Sequence, residues 1–281
     1  MASATGFDAV PSFPPAPSLA KAIVLLAKAK RAANLRPRYV AGLARYLRQF
    51  AKGRESASVA SLTAATVAAW FDSRVESPAT RASNIGRIKS LLAFATRKGW
   101  LLPVRLDLER VRIEAKPPRI LTPAEAGKLL AMTRKHAPEA LPVVALGLFA
   151  GVRPEEARQL EWGALELDAG HVTVSAAASK VRQRRIVPLA AVAVEWLRLG
   201  GALPLKPSTA RRRLRAVRVA LGWPAWPQDL LRHTAASYLL AREQDAPRVA
   251  LWLGNSPAIL LRHYRELVSK AAAAEFWALR P

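Results

Sequence analysis

The chain has 281 residues, 51% of them hydrophobic, which is enough to bury a core in one large domain or in two. Lysine and arginine number 44 against 20 aspartate and glutamate, so the formal net charge is +24. The absence of cysteine excludes disulfides, thiolate nucleophiles and thiolate zinc sites, and the four histidines lack the spacing of metal ligands. No GxxxxGKS or GxxxxGKT loop is present to hold a nucleoside triphosphate.

So large an excess of positive charge predicts a polyanionic partner, because cationic side chains neutralise phosphates and release their counterions. Nucleic acid is favoured, although charge alone also suits an anionic membrane surface. No apolar run reaches the roughly 18 residues that cross a bilayer, and the first residues lack the basic start and apolar stretch of a signal peptide. We therefore expect a soluble cytoplasmic protein that needs no metal and no cofactor.

The first third of the chain predicts a small helical bundle. Residues 1–17 are rich in proline and alanine and are predicted to form a flexible tail. Residues 18–102 repeat apolar side chains at helical spacing in four segments, with Thr63 suited to cap the third helix and Ser77 the fourth. The fourth helix carries polar side chains that suit phosphate contacts, a pattern that a solvated helix face shares: Arg81, Asn84, Arg87 and Lys89.

A proline-flanked, charged segment, residues 103–118, predicts an extended linker, and residues 119–281 predict a second domain. Thr122 and Glu125 form the capping box of its first helix. Alternating segments at 171–175 and 185–188 predict paired strands, with a basic stretch between them. Further helices are predicted to start near 141, 154, 208, 230, 246 and 257, so the domain is mainly α with one small antiparallel sheet.

Four parts of this second domain resemble the tyrosine recombinase (phage integrase) family in order and spacing. AGVRPEEARQLEW, beginning at Ala150, is similar to the first arginine box, and DLLRHTAASY, beginning at Asp229, to the second. LGNSPAILLRHY, ending at Tyr264, is similar to the closing segment, and Lys180, ahead of RIVPL, to the hairpin lysine. The resemblance implies a helical, SAM-like core-binding domain followed by a catalytic domain.

The resemblance assigns a role to each matching residue. Arg153 and Arg232 are the catalytic arginines, with Glu156 and His233 as supporting residues, and Lys180 is the candidate general acid. Tyr264 is the nucleophile that forms a 3′-phosphotyrosine. Permanently charged guanidiniums suit the negative charge that a phosphodiester develops in its transition state, and a covalent intermediate that conserves the bond energy fits a chain without an ATP loop.

Two positions depart from the family pattern. Asp229 stands where the family usually has a histidine, three residues before Arg232, and its carboxylate is able to serve as a base or to orient the arginine, but it adds negative charge near a phosphate. Asn255 stands where histidine or tryptophan is usual, and its amide can still donate one hydrogen bond to a phosphate oxygen. Both are counted as candidate catalytic residues.

Further basic residues predict phosphate binding without sequence discrimination. They are Arg182 and Arg184 in the hairpin and Arg211, Arg212 and Arg213 at the start of a helix. The resemblance implies double-stranded DNA as the partner, association with the nucleoid, and a homo-oligomer on DNA, commonly of four protomers.

Two alternatives stay open from the sequence. Asp229 and Asn255 are also compatible with a DNA-binding relative whose active site has decayed. The same chemistry would serve an enzyme like the type IB topoisomerases, which relaxes supercoiled DNA and needs no partner site.

Overall fold

The computed structural model describes residues 14–108, 117–179, 183–264 and 268–281. The chain divides into two compact units, Met1–Ala115 and Lys116–Pro281. None of the helices in these described ranges is long and apolar enough to cross a bilayer.

Within residues 14–108, the first unit is a bundle of four α-helices around its own apolar core. As predicted, Thr63 and Ser77 cap the third and fourth helices by accepting hydrogen bonds from Thr66 N (3.1 Å) and Thr80 N (3.3 Å). The helices are α1 (Leu19–Ala32), α2 (Pro37–Ala51), α3 (Ala64–Asp72) and α4 (Pro78–Arg97).

Both ends of this unit differ from the predicted tail and linker. Residues 1–13 lie outside the described residues, but the Pro17 carbonyl accepts a hydrogen bond from Val59 N at 2.9 Å, so the end of the expected tail is tied to the bundle. Val104, Leu106 and Leu108 pack against the bundle core, which makes the first part of the expected linker an extended arm of this unit. Residues 109–116 lie outside the described residues.

The second unit surrounds a fully buried helix with further helices and one small sheet. The capping box of Thr122 and Glu125 is confirmed, with hydrogen bonds of 2.9 and 3.2 Å. Its helices are α5 (Pro123–His136), α6 (Leu141–Phe149), α7 (Pro154–Ala157), α8 (Ala191–Arg198), α9 (Pro207–Ala220), α10 (Leu230–Glu243), α11 (Ala246–Leu253), α12 (Pro257–Tyr264) and α13 (Lys270–Trp277). Every residue of α6 is buried, as its uninterrupted apolar sequence requires.

The sheet is antiparallel, in the order β1 (Leu165–Glu166), β2 (His171–Val174) and β3 (Arg185–Pro188). The predicted pair is confirmed, with Val174 opposite Arg185 and Val172 opposite Val187. β1 was not predicted, because two residues carry no readable alternation. The expectation of a mainly α protein with a small antiparallel sheet is confirmed.

The last helix, α13, packs on its own unit. Phe276 is buried and its ring stacks on that of Tyr238, with 3.9 Å between the centroids. The apolar face of α13 is therefore covered within this chain.

Candidate active site

Three guanidinium groups donate hydrogen bonds to three consecutive backbone carbonyls at the C-terminus of α11. Trp252 O accepts from Arg185 Nε at 2.9 Å and Leu253 O from Arg232 Nη2 at 2.5 Å. Gly254 O accepts from Arg153 Nη2 at 2.9 Å. The last carbonyls of a helix have no partner within the helix and lie at the negative end of its dipole, so this end attracts cations.

Asn255 joins the two arginines that the sequence predicted. Its Oδ1 accepts from Arg153 Nη2 at 3.3 Å and from Arg232 Nη2 at 3.0 Å. With that oxygen occupied, the donating Nδ2 is the part of the amide suited to an incoming phosphate. Residues from α7, α10 and the turn after α11 thus meet in one cluster.

Arg232 is a buried cation. It is 6% exposed, and its Nη1 donates to Gly151 O at 2.6 Å. Burial, reinforced by the positive charge of Arg153, lowers the pKa of Arg232 to about 9, which still leaves the group charged at neutral pH. An anion bound beside it would stabilise the charged guanidinium and offset the repulsion from Arg153, so the site favours a phosphate.

Two glycines permit this close packing. Gly151 has φ +62°, and an added Cβ would lie 2.2 Å from Leu253 Cδ2. Gly254 ends α11 with φ +60°, a left-handed conformation that costs other residues energy. The glycines of both motifs are therefore required by the backbone that holds the arginines.

Glu156 is the anionic centre of the cluster and is 1% exposed. It accepts from Arg153 N (3.2 Å) and Nη1 (3.1 Å), as a capping residue of α7. It also accepts from Arg185, with 2.5 Å between Nη2 and Oε2. The supporting position that the sequence predicted for Glu156 is thus a buried carboxylate between two guanidiniums.

The sequence predicts Arg185 as the end of the basic stretch and the first residue of a strand, without a role in the site. Alternation along β3 was the signal that could have found it, because Arg185 shares a face with buried Val187 while Ile186 points outward and is exposed. An arginine on the buried face of a strand needs an anionic partner, and Glu156 is that partner.

Tyr264 is the last residue of α12 and is 5% exposed. Its Oη lies 2.6 Å from His233 Nδ1, in a hydrogen bond between the two side chains. Burial raises the pKa of Tyr264, Arg232 lowers it in part, and the carboxylate of Asp229 raises it further. The phenol is therefore protonated at neutral pH and needs a proton acceptor.

Asp229 does not orient Arg232. It is the N-cap residue of α10, exposed, with a left-handed backbone at φ +51°, and its side chain has no hydrogen-bond or salt-bridge partner within the described ranges. It lines a cavity of about 480 Å³ together with Arg158 and Arg211. The bonds that hold Arg232 come instead from two backbone carbonyls and Asn255.

Only some of the predicted hairpin residues lie within the described ranges. Lys180 and Arg182 lie outside the described residues. Arg184, next to the start of β3, is exposed. The proposed general acid thus stays a prediction from the sequence resemblance.

The predicted DNA-binding side chains of α9 differ in availability. Arg211 and Arg212 are exposed, whereas Arg213 is ion-paired with Glu139. Arg211 also borders the cavity beside Asp229. The exposed pair is therefore the part of this run open to phosphates.

On α4, the structure corrects the expectation that Asn84 faces solvent. Asn84 is 3% exposed, donates to Glu76 at 2.8 Å and accepts from Arg87 at 2.8 Å, so its amide is used inside the unit. Arg81 donates to Phe71 O at 2.9 Å, and Lys89 is exposed. A groove of about 440 Å³ between α2 and α4 is lined by Arg38, Tyr39, Gly42, Leu43, Ser83, Gly86 and Arg87.

Across the part of the chain that the structure describes, no three histidine, aspartate or glutamate side chains are grouped as metal ligands. The cluster holds three guanidiniums against one carboxylate, and this excess of positive charge is suited to attract an anion.

Comparison with solved structures identifies the fold. The Tn1549 transposon integrase in complex with a circular intermediate DNA matches with a TM-score of 0.68 at 14% identity, over 92% of this chain and 98% of that one. The XerH site-specific recombinase bound to difH substrate matches with a TM-score of 0.63 at 16% identity, over 95% and 99%. A lambda integrase dimer bound to a core site matches with a TM-score of 0.62 at 14% identity, over 90% and 98%.

No family model matches the sequence. No curated protein matches it either. At these identities the structural matches establish the fold, and the chain has the fold of the tyrosine recombinases. The fold expected from the sequence resemblance is confirmed.

Proposed function

We propose that this protein is a site-specific DNA recombinase that cuts and rejoins DNA through a 3′-phosphotyrosine at Tyr264. The observation that carries the proposal is the meeting of Arg153 and Arg232 on Asn255 at the end of α11, in a chain with this fold. The DNA complexes of the similar recombinases support double-stranded DNA as the substrate.

The two arginines would bind the non-bridging oxygens of the scissile phosphate. Their guanidiniums are held by backbone carbonyls before any ligand arrives, so little reorganisation is needed when negative charge develops in the transition state. The side chain of Arg153 is 16% exposed, which leaves part of it open to a ligand. The Nδ2 group of Asn255 supplies a neutral donor beside them.

His233 is the proposed proton acceptor for Tyr264. The phenol proton passes to His233 Nδ1, the bond from Tyr264 Oη to phosphorus forms, and the bond from phosphorus to the 5′ oxygen breaks. The departing 5′ oxygen takes a proton from Lys180, as the resemblance implies. The 2.6 Å contact of His233 with Tyr264 supports this assignment over the aspartate at position 229.

Rejoining reverses these steps when a 5′ hydroxyl from a second site attacks the phosphotyrosine. Exchange between two sites needs several active sites on DNA, so we propose a homo-oligomer of four protomers on its substrate. The protein works without a cofactor in this scheme, because the covalent intermediate retains the energy of the broken bond.

The test is covalent capture from a pool of nicked duplexes with randomised cores. A nick beside the cleavage point lets the short fragment diffuse away and traps the adduct, which survives denaturing detergent and is sequenced. The parent should form an adduct and enrich one core sequence, and Tyr264→Phe should form none. Tyr238→Phe is the matched control, because the Tyr238 hydroxyl is a buried donor to Leu121 O and lies outside the proposed chemistry.

The same experiment separates the alternatives. DNA binding by the parent without any adduct would identify a non-catalytic binding protein. Adducts without an enriched sequence, together with relaxation of supercoiled plasmid, would identify an enzyme like the type IB topoisomerases.

A further inference from the structure

Arg185 belongs to the cluster but directs its guanidinium at other protein groups. Its side chain is 8% exposed, and all three nitrogens are used: Nε by Trp252 O at 2.9 Å, Nη2 by Glu156 Oε2 at 2.5 Å and Nη1 by Glu156 Oε1 at 3.4 Å. Three of its five N–H donors are thus directed at protein groups, in a side chain that is almost fully buried. Its effect on the reaction must pass through the groups that it holds.

The first of those groups is Glu156, which connects Arg185 to Arg153. One carboxylate receives both guanidiniums, and it also caps the backbone N of Arg153. A buried carboxylate with one cation removed is strongly disfavoured, so it gains a proton or moves toward water. Either change would release Nη1 of Arg153 from its fixed direction.

The second group is the end of α11. Arg185 bonds Trp252 O and Arg153 bonds Gly254 O, so both arginines hold the same short stretch of backbone. Arg185 is also the first residue of β3, paired with Val174 of β2, and Lys180 lies five positions earlier in the sequence. This side chain therefore ties the return strand of the hairpin to the helix end that carries the arginines.

We propose that Arg185 is a positioning residue, which orients Arg153 through Glu156. The inference rests on the proposed function for its role in strand cleavage. The order of contacts, from Arg185 through Glu156 to Arg153, stands on the geometry alone.

The test is a double-mutant cycle between Arg185 and Arg153. Arg185→Met removes the charge and keeps a long apolar side chain, and at saturating DNA it should slow adduct formation about 100-fold, the scale expected for a misplaced catalytic group. Arg185→Lys keeps one cation for Glu156 and should lose about tenfold. In an Arg153→Ala background, Arg185→Met should cost less than about twofold more, because its effect passes through Arg153.

A merely structural role gives a different pattern. Arg198→Met is the matched control, because it breaks an exposed ion pair with Asp168 in the same unit and should leave the rate unchanged. The proposal is overturned if folded Arg185→Met cleaves within twofold of the parent. An equal loss in the parent and in the Arg153→Ala background would overturn it as well.

A second readout does not depend on cleavage. Inorganic phosphate should raise the unfolding temperature of the parent and of Arg198→Met, and much less that of Arg153→Ala, Arg185→Met or the double variant. If the parent forms no adduct but this pattern holds, the proposed function fails and the positioning role stands. If Arg185→Met responds to phosphate like the parent, the positioning role fails whatever the enzyme does.

Discussion

The second unit carries two groups of arginines that differ in how they are held. Arg153, Arg185 and Arg232 are bonded to backbone carbonyls and, for two of them, to Glu156. Arg211 and Arg212 on α9 are exposed. Burying a cation is costly unless it is paired and hydrogen-bonded, so the first group is fixed in direction, whereas the second keeps its hydration and its freedom. Fixed cations suit a transition state, and exposed, hydrated ones suit affinity for any phosphate backbone.

Arg232→Lys should break the fixed group most severely. The ammonium of lysine cannot replace the planar guanidinium, which donates to Gly151 O, Leu253 O and Asn255 Oδ1 at once. Adduct formation at saturating DNA should fall about 1000-fold, while the dissociation constant for DNA changes little. A loss of binding with an unchanged rate would instead show that Arg232 contributes to DNA affinity, like the exposed arginines of α9.

His233→Asn should separate proton transfer from positioning. Asparagine can still accept a hydrogen bond from Tyr264 but cannot take its proton, so cleavage at neutral pH should fall about 100-fold. Burial raises the pKa of Tyr264 above its ordinary value, so the deficit should shrink only at strongly alkaline pH, where more phenolate forms unaided. A rate profile parallel to that of the parent would contradict the role as base.

Gly151→Ala should disturb the backbone on which Arg232 is held. The new Cβ would clash with Leu253 at a backbone φ of +62°, and we expect a loss of about 3 kcal/mol in the free energy of unfolding. Gly163→Ala is the control, because its Cβ would meet no atom within 4 Å. Urea unfolding of the two variants measures the difference, and equal stabilities would refute the close approach of Gly151 to Leu253.

Asp229→Asn should raise the cleavage rate by about threefold at neutral pH, because it removes a negative charge that raises the pKa of Tyr264. The effect is small because the carboxylate is exposed. Asparagine tolerates the left-handed backbone of position 229, so the start of α10 should be preserved. A slower enzyme would instead make Asp229 the working base.

Arg211→Gln combined with Arg212→Gln should affect affinity alone. The slope of log binding constant against log salt concentration should decrease by about 2, one for each phosphate that the variant no longer neutralises. Cleavage at saturating DNA should not change. Arg213→Gln should reduce the slope less, because that guanidinium is already paired with Glu139.

Sequence reasoning reached the helical bundle, the paired strands and the two motif arginines because each has a local signal, such as a cap, an alternation or a motif. The sequence pattern predicts Asn84 on a polar face of α4, but the structure buries it. Its partner Glu76 comes from the preceding loop, which helical periodicity does not reveal. Sequence reasoning named His233 as a supporting residue without a role, since its partner Tyr264 lies 31 positions away. Arg185 was missed for the same reason.

The sequence by itself determined the charge of the protein, its helical class and the order of the motifs, because these depend on residue type and on spacing along the chain. Only the tertiary structure decided which cations are fixed and which are free. That choice depends on carbonyls and carboxylates far away in the chain: three arginines gather on Trp252, Leu253 and Gly254 because the end of one helix leaves its last carbonyls without partners.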